Sequence, residues 1–134
     1  MVKMPDEVIQ TLEKQNPVPV ATASQNGIPN VALVGFLKVI NEDTIMIADN
    51  FFNKTETNLK ENPEIAIVAY DGYTKKSYQI KGHTEMKTSG PEYAAMIEWV
   101  NSVMPEMPKK AAVIVHVDGV YNSQPGPDAG KKIA

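Results

Sequence analysis

Helical spacing of apolar residues occurs in only two segments of the chain. Near the start, Val8, Ile9 and Leu12 form one stripe between Pro5 and Lys14, with Pro5, Asp6 and Glu7 suited to a first turn and Lys14 to a last one. Farther on, "TSGPEYAAMIEWVNSVM" places Tyr93, Met96, Ile97, Val100 and Met104 on one face, with Pro91 opening the helix. Most of the remaining apolar pattern belongs to strands. Pro17–Ser24 reads as a strand, "QNG" as a hairpin turn, and Ile28–Ile40 as a long return strand in which Gly35 marks a bend or bulge. Thr44–Asp49, Glu64–Asp71, Ser77–Lys87 and Ala111–Asn122 complete the set. A short helix with almost no apolar face falls inside "NFFNKTETNLKEN", and the tail "SQPGPDAGKKIA" reads as loop. The predicted order is α-β-β-β-α-β-β-α-β in one domain over residues 1–134, with 1–16 as a helical lead-in and 123–134 as a tail. Short turns between neighbouring strands imply a mainly β fold, a six-stranded antiparallel sheet curled into a small barrel with flanking helices.

The faces of these strands differ. Ser77–Lys87 alternates, with Tyr78, Ile80, Thr84 and Met86 opposite Gln79, Lys81, His83 and Glu85, and so has one wet face. Ile28–Ile40, Ile65–Tyr70 and Ala111–Val117 are apolar on both faces. Antiparallel strands of that kind need cover on both sides. Two helices cover little, so the pattern predicts a homodimer, the alternative being that the helices and the tail suffice.

Composition removes several classes of function. The chain has no cysteine, which excludes disulfides, thiolate metal sites and cysteine nucleophiles. A net charge of −3 and 7% aromatic residues argue against nucleic-acid binding. No apolar run reaches the length of a membrane span, and the N-terminus lacks a signal core, so a cytoplasmic protein without membrane contact is expected. Phosphate-loop, dinucleotide, nucleophile-elbow and zinc-protease motifs do not occur. His83 and His116 lie on separate strands without ligand spacing, and Trp99 sits beside an apolar stripe. Structural roles are expected for all three, and no metal.

All 13 basic residues are lysines. Without the planar arginine fork, an anion must be held by lysine, hydroxyls and backbone N–H groups. One segment is suited to that. The short helix opens on Lys54 and Thr55, although a helix N-terminus already carries about half a positive charge. Capping accounts for part of the segment, with Asn53 as N-cap and Glu56 as the third residue of a capping box. It does not account for Lys54. An anion at the helix start would, because free N–H groups, the Lys54 ammonium and the Thr55 hydroxyl would converge on it.

From about Thr22 to Tyr121, the ordered set "PNVALVGFLKVI", "TIMIADNFFNKTETNLKENPEIAIV", "YQIKGHTEM", "SGPEYAAMIEWV" and "KKAAVIVHVDGVY" resembles the FMN-binding split-barrel proteins related to pyridoxamine 5′-phosphate oxidase. Small bacterial FMN-binding proteins are the most similar branch. The resemblance implies a six-stranded split barrel, a homodimer, and an FMN at each end of the interface, serving electron or hydride transfer. It places the phosphate-binding pair on Lys54 and Thr55. It places the flavin edge on Ala32, Leu33, Val34 and Gly35, and the segment beside the ring and ribityl chain on Ala48, Asp49 and Asn50. Contacts from a partner subunit fall on Ser77 and Gln79, and on Tyr121 and Asn122. No catalytic acid or base stands out.

Two departures bear on function. Ala32 replaces a basic residue that several relatives use to hold phosphate, which leaves more of that task to Lys54. The missing arginines argue against true pyridoxamine-phosphate oxidase activity. The redox partner is not legible. A deazaflavin or haem in the same barrel, a non-catalytic flavin store, or a cofactor-free binding module are the alternatives.

Overall fold

The computed structural model describes all residues, Met1–Ala134. Helix α1 spans Asp6–Lys14, followed by strands β1 (Val18–Ala23), β2 (Pro29–Val34), β3 (Leu37–Asn41) and β4 (Thr44–Asp49). Helix α2 (Lys54–Glu61), strands β5 (Glu64–Tyr70) and β6 (Ser77–Lys87), helix α3 (Gly90–Val103) and strand β7 (Ala111–Asn122) complete the chain.

The strands form one sheet in the order β2-β1-β5-β6-β7-β4-β3, antiparallel at every pairing. Its two edges, β2 and β3, are joined by Gly35 and Phe36 alone. Three Cα–Cα steps reach at most about 11 Å, so the sheet must curl until its edges meet. The result is a split barrel.

There are seven strands rather than six, because the long segment breaks at the glycine. Before the break, Ala32 and Val34 point into the barrel and Val31 and Leu33 outward; after it, Leu37 and Val39 pack on the core. Parity therefore flips across Gly35–Phe36, as an irregularity in a strand permits. Strand β2 is still apolar on both faces, and the flip changes only which of the apolar residues beyond Gly35 enter the barrel.

The barrel interior holds Val18, Val20, Ile45, Ile47, Ile65, Ile67, Ile80, Val113, Val115 and Val117, closed off by Val8 and Leu12 of α1. A second, smaller core lies outside the sheet, where Met96 and Val100 of α3 cover Met46 and Ala48 of β4 and Ala112 and Ile114 of β7. Strand β7 is thus apolar on both faces because its own chain covers both, not because a second copy does. The α3 stripe ends one turn earlier than its pattern implies, since Met104 follows the helix and is exposed. No helix is long and apolar enough to cross a membrane.

One apolar face has no cover. Across β2, β1 and β5, the registers Leu33↔Pro19, Val31↔Ala21 and Ala21↔Ala66 align outward-facing apolar residues. Val31 and Leu33 are 70% and 68% exposed, and Val68 and Tyr70 are exposed beside them. The tail turns back on β7. Val120 donates to the Ala134 carbonyl, Asn122 to that of Lys131, and the Asn122 side-chain amide to that of Asp128.

Candidate functional site

The site forms where the barrel splits. The inner side of β2, the end of β4 and the 50–53 loop converge there on the first turn of α2, enclosing a pocket of about 490 Å³. That is within the usual range for a small-molecule site. Ala32, Leu33, Val34, Gly35, Ala48, Asn50, Lys54 and Thr55 line it, together with Asn30, Phe36, Phe51, Phe52 and Met107. Apart from Lys54, no lining residue is charged.

The α2 N-terminus is built to accept something. Asn53 makes no side-chain cap, so the expected capping box does not form. Glu56 is occupied elsewhere, at 3.1 Å from Lys60 Nζ and 2.9 Å from Lys110 Nζ. These bonds hold its carboxyl down at about 2, the Lys110 bond first. Thr57 donates to the Asn53 carbonyl, which leaves the first-turn amides of Lys54, Thr55 and Glu56 unclaimed by any side chain. Lys54 is exposed and forms no ion pair, in contrast to Lys60 and Lys110.

Thr55 is held from behind. Its Oγ1 accepts from the Asn30 amide at 3.0 Å, and the same amide donates to Thr22 Oγ1 at 3.2 Å. Thr22 Oγ1 also accepts from Asn58 Nδ2. With one acceptor position filled by Asn30, the Thr55 hydroxyl keeps its own proton free to donate. Thr22, Thr55 and Asn58 are buried, so this network locks α2 to β1 and β2. Sequence reasoning missed Thr22, Asn30 and Asn58. The available signal was the polar residue at inward-facing positions of two otherwise apolar strands.

Asp49 is not in the pocket wall. It is fully buried behind it, with Oδ1 accepting from the Phe52 amide at 3.0 Å and Oδ2 bonded to nothing. Burial pushes its pKa up, against the Phe52 amide and the Lys110 charge, which lower it. Asn50 lines the pocket, yet its Oδ1 accepts from the Lys109 amide, tying down the loop that carries Met107.

Four residues expected from a partner lie elsewhere. Ser77, Gln79 and Tyr121 continue the uncovered face, through the pairings Tyr70↔Ser77, Val68↔Gln79 and Gln79↔Tyr121. Asn122 instead holds the tail. The two histidines occupy paired positions on β6 and β7 with ring centroids 5.1 Å apart, a juxtaposition that their separation in sequence concealed. Each faces a carboxylate, His83 with Asp118 at 2.8 Å and His116 with Glu85 at 2.7 Å. They lie outside the pocket, and no cluster of side chains could hold a metal ion.

The family model described as pyridoxamine 5′-phosphate oxidase matches residues 4–124. The chain belongs to this family. An uncharacterized protein of Methanocaldococcus jannaschii is 39% identical over 137 residues, spanning 100% of this chain and 90% of its own. Among solved structures, HupZ of Group A Streptococcus matches with a TM-score of 0.83 at 28% identity, over 97% of this chain and 100% of that one. An FMN-binding protein of Syntrophomonas wolfei matches with a TM-score of 0.67 at 19% identity, over 85% of this chain and 84% of its own, a likeness of fold alone. Membership in the pyridoxamine 5′-phosphate oxidase family agrees with the antiparallel split barrel and with a pocket at the split.

Proposed function

We propose that this chain is a flavoprotein that binds FMN non-covalently and serves electron or hydride transfer, without pyridoxamine-phosphate oxidase activity. The carrying observation is the uncapped α2 N-terminus, which opens into an otherwise uncharged pocket beside an unpaired Lys54. That arrangement fits a phosphate monoester on an apolar, planar body. The first-turn amides, Lys54 and Thr55 would hold the phosphate. The backbone of Ala32–Gly35 and the side chains of Ala48 and Asn50 would border the ring system. When bound, the flavin supplies the redox chemistry, and the protein supplies anchoring and exclusion of water.

The same reading includes a homodimer. The bare face on β2, β1 and β5 continues into Ser77, Gln79 and Tyr121, so a second copy seated there would carry those side chains toward the pocket edge formed by Val31 and Leu33.

Proteins of this fold include a haem storage protein of Vibrio cholerae and an F420 reductase, which makes haem and a deazaflavin the competing occupants. No histidine lines the pocket, which counts against haem. An absorption spectrum of the protein as purified, followed by titration with FMN, tests the proposal. Flavin bands or quenched FMN fluorescence support it. A Soret band, a deazaflavin spectrum, or no response to FMN overturns it.

A further inference from the structure

Glu56 presents a problem for an anion site. It is the third residue of α2, in the same turn whose amides face the pocket, and its negative charge opposes a bound phosphate. The structure meets it with a lysine just before β7, the strand that pairs with β4. Lys110 begins the chain's approach to β7, and its backbone N–H donates to the Asp49 carbonyl at 2.8 Å. Its Nζ donates to the Phe52 carbonyl at 2.8 Å and to Glu56 Oε2 at 2.9 Å, and lies 3.6 Å from Asp49 Oδ1. One side chain thus ties the loop before α2 to its first turn and offsets both nearby carboxylates. Lys110 is not among the pocket-lining residues.

We propose that Lys110 is a positioning and charge-compensating residue for the phosphate end of the pocket: it cancels Glu56, and fixes the 49–53 loop so that the α2 amides and Lys54 present net positive charge to a phosphate. The inference rests on the FMN reading and adds a residue that touches no cofactor. The carboxyl of Glu56, held low mainly by Lys110, fits this role. A lysine kept only for fold stability would have no reason to discriminate between a flavin with a phosphate and one without.

The test uses FMN and riboflavin as paired probes, each titrated by fluorescence quenching into wild type, Lys110→Met, Glu56→Gln and the double variant. Lys110→Met leaves Glu56 paired with Lys60 alone and should weaken FMN binding about three- to tenfold, the range for losing one unit charge at short range in a solvated site, while riboflavin stays within about twofold. Glu56→Gln should tighten FMN binding, and the double variant should recover most of the affinity lost in Lys110→Met. Glu56→Gln removes one charge from a part-exposed side chain, so its result stands independently of how well Lys110→Met folds. Equal losses of FMN and riboflavin, weaker FMN binding in Glu56→Gln, or no recovery in the double variant would overturn the proposal while leaving the FMN reading intact. A wild type that binds neither probe would overturn both.

Discussion

The Asn30 side-chain amide donates to Thr55 Oγ1 at 3.0 Å, linking an inward-facing position of β2 to the first turn of α2 across 25 residues of sequence. An asparagine at that place in an apolar strand costs burial of its amide. Its contribution is to set the direction of the Thr55 hydroxyl and, through Thr22 and Asn58, to fix the helix start against the sheet.

Replacing Asn30 with leucine therefore has two expected effects. Thr22 and Thr55 lose a donor while buried, which costs about 1–3 kcal/mol, read as a lower midpoint in urea unfolding. FMN affinity falls as well, because Thr55 is free to turn its proton away from the pocket. Unchanged affinity with reduced stability would assign the network to the fold alone.

Two acids close to the site respond to pH in opposite senses. Glu56 is held at about 2 in the folded protein against an ordinary 4.5, so its contribution is complete above about 4.5 and is lost as pH falls toward 2. Asp49 is raised above its ordinary 3.8 by burial, so its folded form prefers the proton; its contribution is present below 3.8 and is lost as pH rises through the folded value. Asp49→Asn, which removes a buried charge with one oxygen unbonded, should hold or raise the melting temperature at pH 7. Glu56→Gln should flatten the loss of stability between about pH 4.5 and 2. Thermal melts from about pH 2 to pH 7 check both signs, and a large drop for Asp49→Asn at pH 7 would show that the Lys110 contact outweighs desolvation.

Much of this was legible from local pattern. The alternation of Ser77–Lys87 is the burial observed, and Gly35 marked the discontinuity in the long strand. The consequence of Gly35 was not legible, because a parity flip among residues that are apolar at nearly every position leaves no mark in the pattern. The double burial of β7 misled for a related reason, since the side of the sheet on which α3 docks is a matter of topology. At the site, Lys54 and Thr55 stood out because a cation violates the helix dipole. Asn30, Thr22, Asn58 and Lys110 did not, because each acts through a partner at least 25 residues away, Thr22 and Asn30 with one another excepted.

The bare face of β2, β1 and β5 carries its own prediction. Light scattering at micromolar concentration should show a dimer, with an interface above about 1,000 Å². Leu33, 68% exposed and at the edge of both that face and the pocket, is the residue to change. Leu33→Glu should shift the protein toward monomer and weaken FMN binding with it, and added protein concentration should restore both. A monomeric wild type would refute the dimer. A dimeric Leu33→Glu would place the interface elsewhere.

Lys54 gives the sharpest separation between a phosphate role and a merely solvated lysine. It is exposed, unpaired, and at the first position of a helix whose N-terminus no side chain caps. In the absence of ligand its charge faces the positive end of the dipole, so Lys54→Ala should leave apoprotein stability unchanged or raise it by a few tenths of a kcal/mol. In the presence of FMN it should lose about 1.5–3 kcal/mol, the range for a hydrogen bond to a charged group, which is about one to two powers of ten in Kd. Riboflavin has no phosphate for Lys54 to meet, so its weak binding should hardly change. Titrations of both ligands into both proteins give four numbers and one decisive ratio. Equal, small changes for FMN and riboflavin would remove Lys54 from the site and leave the helix N-terminus without its cation.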